Sequence, residues 1–161
     1  LHVDFGITYL RLNTDTQQHA YVLKEGESDA PEALKQALIN ANQLQDILTK
    51  QFEKTRSGND ILLAALEEAR SEGLEPMIYT HPIGYYGHGS GPTIGMWDKQ
   101  HAIPGGGEYP LFSNTAYSIE LNNKTTFKDK AVTIMLEEDA FFDGDGVSYL
   151  NGRQQSFHLI D

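Results

Sequence analysis

Cysteine is absent from the 161 residues of this chain. Its absence excludes a disulfide framework, a zinc site built on thiolates and a cysteine nucleophile. A chain without cysteine fits a reducing compartment, and we expect a cytoplasmic protein.

Basic residues are also scarce, with 12 Lys and Arg against 23 Asp and Glu and a formal net charge of -11. Proteins that bind nucleic acids usually carry a clustered Lys/Arg footprint, so we expect no nucleic-acid partner. The acidic surplus has two interpretations: a solvated surface, or carboxylates gathered around cations.

Long hydrophobic runs are missing, because no window approaches the ~18 apolar residues of a membrane span. We therefore expect no membrane partner. A hydrophobic content of 39% with 22% charged residues is ordinary for a globular protein, and the length predicts one core. The chain has no initiator methionine and begins at once in a strand-like run, so we expect a piece of a longer protein.

The first half of the chain predicts a β-hairpin followed by two helices. Residues 2–10 and 16–23 are rich in β-branched and aromatic residues, with turn-prone residues between them. Apolar residues then recur at helical spacing over 31–54. Asn59 is a candidate N-cap for a second amphipathic helix, which Gly73 ends.

The second half predicts strands. A short strand at 77–81 leads into a glycine-rich segment, and residues 99–114 look irregular. Strand patterns follow at 115–122, 130–138, 140–143, 147–150 and 155–160. We predict an α+β domain with a curved antiparallel sheet and helices on one side.

Four carboxylates stand inside these strand patterns or beside them. Asp4 interrupts an apolar strand, where a buried carboxylate without a partner costs several kcal/mol, and a hairpin brings Asp15 back towards it. Glu120 and Glu137 interrupt two later strands in the same way. Taken singly, Asp15 is explained as a turn residue and the strand acids as charges that prevent aggregation.

Two histidines, His81 and His88, lie in the glycine-rich stretch HPIGYYGHGSGPTIGMWD. Clustered carboxylates repel one another, and divalent cations relieve that repulsion. Several carboxylates with one imidazole suit Mn²⁺, Co²⁺, Fe²⁺ or Zn²⁺. Two carboxylates shared between ions would place a metal pair ~3.5 to 4 Å apart, an arrangement that activates water for hydrolysis.

Five motifs, HVDFG, NTDT, HPIGYYGH, SIEL and MLEED, occur in this order. In order and spacing they resemble the motifs of the pita-bread metallopeptidases, which include methionine aminopeptidase, aminopeptidase P, prolidase and the non-peptidase creatinase. The resemblance implies a pita-bread fold truncated at its N-terminus. Residues 1–161 would then be a single C-terminal catalytic domain that lacks the N-terminal part of the usual domain.

The resemblance also implies a dinuclear centre, with Mn²⁺ or Co²⁺ preferred and Zn²⁺ or Fe²⁺ as alternatives. In this family pattern Asp4 chelates one ion, His81 and Glu120 bind the other, and Asp15 and Glu137 bridge the two. His88 would hydrogen-bond the substrate or stabilise the tetrahedral intermediate. Glu120 would also act on the proton of the attacking water.

The implied function is a metal-dependent exopeptidase that cleaves the N-terminal bond, in particular an Xaa-Pro bond, of a peptide or dipeptide. Two alternatives stay open: a catalytically inactive pita-bread binding domain, and a non-peptidase hydrolase of the creatinase type.

Three departures from the family are visible. His2 is too close to Asp4 to replace the histidine that the family has further upstream, and Gln18 stands where prolidase-like members often have arginine. The N-terminal helices of the usual domain are missing, which would expose core surface. We therefore expect self-association, in the simplest case as a homodimer.

Other residues have simpler interpretations. Glu138 should point away from Glu137 by strand alternation, so we expect it to be solvated and its replacement by alanine to change little. Three histidines without a partner motif are expected at the surface or as satisfied side chains: His19, His101 and His158. Three aromatic residues either line a substrate pocket or pack against the sheet: Tyr85, Tyr86 and Trp97.

Overall fold

A computed structural model of the chain describes residues 1–85, 87–89 and 91–161. The prediction for Tyr86 therefore lies outside the described residues. The two helices are α1 (Glu32–Lys50) and α2 (Gly58–Ser71). The strands are β1 (His2–Phe5), β2 (Thr8–Tyr9), β3 (Leu12–Asn13), β4 (Thr16–Val22), β5 (Pro76–Ile78), β6 (His81–Gly84), β7 (Gly87–His88), β8 (Thr115–Phe127), β9 (Lys130–Phe142), β10 (Val147–Tyr149) and β11 (His158–Ile160).

Nine of these strands form one curved sheet in the described part of the chain, with the order β1-β4-β9-β8-β6-β7. Strands β5 and β10 pair antiparallel with β8 and β9, and β11 pairs parallel with β4. The predicted α+β architecture with an antiparallel sheet is confirmed. No helix among the described residues is both long enough and apolar enough to span a membrane.

The N-terminal hairpin forms between β1 and β4, but the predicted single strand over 2–10 is wrong. The chain leaves β1 at Gly6, where a Cβ atom would lie 2.1 Å from the carbonyl oxygen of Thr14. A smaller hairpin, β2 with β3, then turns through Leu10 and Arg11, whose φ angles are 49° and 69°. A close backbone approach thus divides the expected strand in two.

The N-cap of the second helix lies two residues before the predicted cap, Asn59. Ser57 is the N-cap, and it forms a capping box with Asp60. Asn59 instead binds the main chain of Ile103, accepting a hydrogen bond from its N–H at 2.7 Å and donating to its carbonyl oxygen at 3.1 Å. The assignment of Asn59 as the cap is therefore wrong, and its side chain holds the loop after β7 against α2.

The core lies between the two helices and one face of the sheet. Strands β8 and β9 run antiparallel over 13 residues each, and the run predicted as a separate strand at 140–143 belongs to β9 through Phe142. Alternate residues of both strands face the helices. Fully buried members of this core include Leu38, Leu44, Leu48, Ile61, Leu62, Leu66, Ile119, Leu121 and Leu136.

Glu138 faces this helix-covered side, and the prediction that it is solvated is wrong. Its exposed fraction is 4%. One oxygen accepts a hydrogen bond from the main-chain N–H of Gln154 at 3.1 Å, and the other accepts one from the side-chain amide of Gln45. Burial raises the pKa of Glu138, and these two hydrogen bonds oppose the shift. Strand alternation does turn Glu138 away from Glu137, but the opposite face is packed with helices.

We predict that Glu138→Ala destabilises the fold. The substitution leaves two buried donors without an acceptor, which costs about 1–3 kcal/mol in the free energy of unfolding. Urea denaturation measures the change, with Glu67→Ala on the exposed side of α2 as the matched control. A loss below ~0.5 kcal/mol, the usual range for surface substitutions, would show that the contacts of Glu138 are not structural.

Candidate metal centre

Four polar side chains form a row across the sheet on the face opposite the helices. Asp4 of β1 pairs with Gln17 of β4, Gln17 pairs with Glu137 of β9, and Glu137 pairs with Glu120 of β8. Residues directly opposite each other in neighbouring strands share a face and lie ~4.5 to 5.5 Å apart at Cβ. Strand register alone therefore collects three of the predicted metal ligands.

The other predicted residues, Asp15, His81 and His88, lie close to this row. Asp15 precedes β4, and its main-chain N–H donates to Asp139 at 3.2 Å. The ligand atoms form three overlapping groups in which all atoms lie within 4.8 Å of one another and which can hold metal ions. These groups are Asp15 with His81 and His88, His81 with Glu120 and Glu137, and Asp4 with Asp15 and Glu137.

His81 shows most directly that a cation fits here. The side chain is buried, and its Nδ1 lies 3.1 Å from the carbonyl oxygen of Pro82. Its Nε2 has no hydrogen-bond partner among the described residues and faces Glu120 Oε2 at 3.6 Å and Glu137 Oε1 at 3.8 Å. When Nδ1–H donates to the carbonyl, a neutral ring presents its lone pair to two carboxylates, an arrangement that a cation stabilises.

The pKa values of His81 and Glu137 reflect the carboxylate charges gathered around them. Burial alone lowers the pKa of His81, but Glu120, the Pro82 carbonyl and Glu137 raise it above its ordinary value. Burial and then the charge of Glu120 raise the pKa of Glu137 to about 8. Hydrogen bonds from Ser118 Oγ at 2.5 Å and Gln17 Nε2 at 2.7 Å hold Glu137 and oppose that shift.

His88 lies at the exposed edge of the site. Its ring stacks on that of His81 with 3.8 Å between centroids, and its Nε2 lies 3.3 Å from Asp15 Oδ2. Its Nδ1 lies 3.3 Å from the hydroxyl of Tyr79. His88 is therefore adjacent to the metal-ligand groups and open to solvent, whereas His81 is enclosed.

Solved structures of other proteins share this architecture. The chain superposes on an X-Pro aminopeptidase from Thermotoga maritima with a TM-score of 0.71 and 19% identity, over 99% of this chain and 41% of that one. A dipeptidase from Mycobacterium ulcerans superposes with a TM-score of 0.66 and 18% identity, over 99% of this chain and 39% of that one. A methionine aminopeptidase from Rickettsia prowazekii superposes with a TM-score of 0.67 and 16% identity, over 92% of this chain and 62% of that one. These proteins are pita-bread metallopeptidases.

The chain has the pita-bread fold. The predicted fold is thus confirmed, and the chain spans about two fifths of the X-Pro aminopeptidase and the dipeptidase. No family model matches the sequence, and no curated protein matches it significantly. At these identities the likeness is one of fold, so the roles of the site residues remain predictions.

Three further residues of the candidate site, which the sequence did not single out, hydrogen-bond its acidic residues. Gln17, Ser118 and Asp139 each stand two positions from a predicted ligand: Asp15, Glu120 and Glu137 respectively. Residues two apart in a strand share a face, so extending the strand alternation by one step would have found all three. Tyr79, whose hydroxyl lies 3.3 Å from His88 Nδ1, likewise stands two positions before a predicted ligand, His81.

The remaining histidines and two of the predicted aromatic residues, Tyr85 and Trp97, are not members of these ligand groups. His19 is buried, with Nε2 2.6 Å from the carbonyl oxygen of Met135, while His101 and His158 are exposed, so all three are surface or satisfied side chains as predicted. Trp97 is 71% exposed and Tyr85 is 52% exposed, so neither packs into the sheet.

We predict that the metal-free pita-bread chain loses stability as pH rises. The pKa of Glu137 is about 8 in the fold against 4.5 in the reference state, so its contribution is fully present below about 4.5 and is lost as pH rises through about 8. The raised pKa of His81 acts in the same direction.

Urea denaturation between pH 5 and pH 8.5, in the presence of a chelator, measures this loss. Glu137→Gln serves as the comparison because it cannot titrate, and its free energy of unfolding should fall less steeply over the same range. Equal slopes for the two proteins would show that Glu137 does not carry the effect.

Proposed function

We propose that the chain is the catalytic portion of a metal-dependent exopeptidase that hydrolyses the N-terminal peptide bond of its substrate. The observation that carries the proposal is the buried Nε2 of His81, which lacks a hydrogen-bond partner and faces two carboxylates. Asp4 and Asp15 complete a donor set of four carboxylates and one imidazole, which suits Mn²⁺ or Co²⁺, with Zn²⁺ and Fe²⁺ as alternatives.

In the proposed assignment Asp4 holds one ion, His81 and Glu120 hold the other, and Asp15 and Glu137 are shared by both. Divalent ions at such a site supply Lewis acidity towards the scissile carbonyl and lower the pKa of water. The buried Glu137, fixed by hydrogen bonds to both oxygens, suits a bridging ligand that does not move.

Glu120 is the carboxylate best suited to accept the proton of the attacking water. Its side chain is 20% exposed, against 2% for Glu137, so solvent reaches it while Glu137 stays enclosed. A general base needs both proximity to the reacting water and access to it. Glu120 would then pass the proton to the departing amine.

His88 is the proposed hydrogen-bond donor to the substrate. When the hydroxyl of Tyr79 donates to Nδ1, the remaining ring proton is on Nε2. This tautomer also satisfies Nε2 beside the carboxylate of Asp15. A positioned Nε2–H at the open edge of the site can stabilise the oxyanion that develops during peptide hydrolysis.

For the substrate, we propose peptides and dipeptides with proline in the second position. The fold of the X-Pro aminopeptidase from Thermotoga maritima supports this choice. The site also favours exopeptidase action in physical terms, since its carboxylates attract the free ammonium group at a peptide N-terminus.

The proposal extends to the context of the chain. Residues 1–161 would form a catalytic unit with the pita-bread fold that acts in the cytoplasm on small peptides. Nucleic acids and membranes are not proposed partners, in line with the acidic charge. Exposed apolar side chains on β1, such as Val3 and Phe5, support self-association as a homodimer.

We predict that the chain binds two Mn²⁺ or Co²⁺ ions and that Asp15→Asn and Glu137→Gln abolish tight binding. Both variants keep the size of the side chain while removing a charged bridging ligand. Isothermal titration calorimetry gives the stoichiometry and the affinity. Glu108→Gln, which alters an exposed acid, is the matched control and should bind as the wild type does. If the wild-type chain bound neither Mn²⁺ nor Co²⁺, the proposed metal centre would be wrong.

We further predict metal-dependent release of the N-terminal residue from Xaa-Pro peptides. Glu120→Gln and His88→Ala should each lower kcat by about 10²-fold or more, because one removes the base and the other the donor. His88→Ala should retain its bound ions, which separates catalysis from metal loss. Amino acid release from Xaa-Pro and methionyl peptides is the measurement. Bound metal without release of any N-terminal residue would favour a binding domain or a non-peptidase hydrolase.

A further inference from the structure

Gln17 is the neutral member of the polar row across the sheet, and it lies between Asp4 and Glu137 in the strand register. The side chain is 3% exposed. Its Nε2 donates to Glu137 Oε2 at 2.7 Å and to Glu120 Oε1 at 3.2 Å. The two carboxylates fix the orientation of the amide, because the reverse orientation would set its carbonyl oxygen against both of them.

The amide contacts one oxygen of each carboxylate, and the second oxygen of each carboxylate faces His81. Glu120 uses Oε1 for Gln17 and points Oε2 at His81 Nε2, 3.6 Å away. Glu137 uses Oε2 for Gln17 and points Oε1 at the same nitrogen, 3.8 Å away. Gln17 therefore orients both carboxylate groups about the point where a cation fits, and Ser118, whose Oγ donates to Glu137 Oε1 at 2.5 Å, holds the second oxygen of Glu137.

The other end of Gln17 is held in turn by His2. The amide oxygen lies 2.8 Å from His2 Nε2. Since the amide N–H groups already face the carboxylates, the oxygen must accept, and His2 must donate from Nε2. A chain of hydrogen bonds thus runs from His2 through Gln17 to Glu120 and Glu137.

We propose that Gln17 is a positioning residue of the metal centre, which orients Glu120 and Glu137 towards the cation and is itself oriented by His2. This inference rests on the proposed function. A residue that orients a ligand typically changes metal affinity or activity by about 10- to 100-fold when it is removed. A buried glutamine with only a packing role would instead change stability and leave the affinity of the folded protein intact.

Gln17→Met tests the proposal because methionine keeps the length of the side chain and removes both polar groups. We expect about 10- to 100-fold weaker Mn²⁺ binding to the 161-residue chain by calorimetry. Gln18→Met is the matched control: the same substitution one position along β4, on the other face, where the side chain lies 3.2 Å from His158. Its affinity should stay within about 2-fold of the wild type.

A double-mutant cycle tests the part played by His2. His2→Ala should weaken Mn²⁺ binding less than Gln17→Met does, and it should add no further loss once Gln17 is methionine. Additive losses would overturn the link through His2. Equal affinity of the wild type and Gln17→Met would overturn the positioning role alone, whereas absence of Mn²⁺ binding by the wild type would overturn the proposed function as well.

A measurement on the wild-type chain covers the case in which Gln17→Met does not fold. The side-chain amide resonances of Gln17 should exchange slowly with solvent in the metal-free protein and shift when Zn²⁺ is added. The side-chain amide of Gln18 is the internal reference and should do neither. Resonances of Gln17 that exchange rapidly, or that do not respond to Zn²⁺, would overturn the inference.

Discussion

The pairing of β8 with β9 is the constraint on which the rest of the structure depends. The two strands run antiparallel over 13 residues each, and their register sets Glu120 directly opposite Glu137. A shift by one residue would exchange the two faces, turning the acids into the helix layer and the core leucines towards the site. The apolar residues that pack under α1 and α2 therefore hold the acids in place. The same contacts stabilise the core and position the candidate metal ligands.

This register gathers negative charge that the protein alone does not neutralise. Glu120, Glu137, Asp4 and Asp15 belong to overlapping groups with His81, whose Nε2 has no hydrogen-bond partner in the described part of the chain. Burial and the charge of Glu120 raise the pKa of Glu137, and Glu120, the Pro82 carbonyl and Glu137 raise the pKa of His81 against the effect of its burial. A site that conflicts with the folding rules of the strands around it is typical of a functional centre. Cations bound in the proposed metal centre would remove this conflict.

Much of the site was accessible from sequence because each acid breaks an apolar strand pattern. That signal identified Asp4, Glu120 and Glu137 one by one, and the hairpin connected Asp15 to them. Glu138 was misjudged, since strand alternation gives the face of a residue but not what covers that face. Gln17 was overlooked because a glutamine in a strand carries no charge that needs an explanation. The role of Asn59 is not readable from a local cap signal, because its hydrogen-bond partner, Ile103, is 44 positions away.

The amino-acid sequence by itself determined the element types, the apolar side of each helix and strand, and the set of residues able to bind a cation. Periodicity and charge are local properties, so they can be read from neighbouring residues. Only the tertiary structure decided which side chains meet. The row from Asp4 through Gln17 and Glu137 to Glu120 crosses four strands, β1, β4, β9 and β8, and joins residues up to 133 positions apart in the chain. The stacking of His88 on His81, the burial of Glu138 under α1 and the hydrogen bonds of Gln17 arise in the same way, from packing between elements that no local pattern specifies.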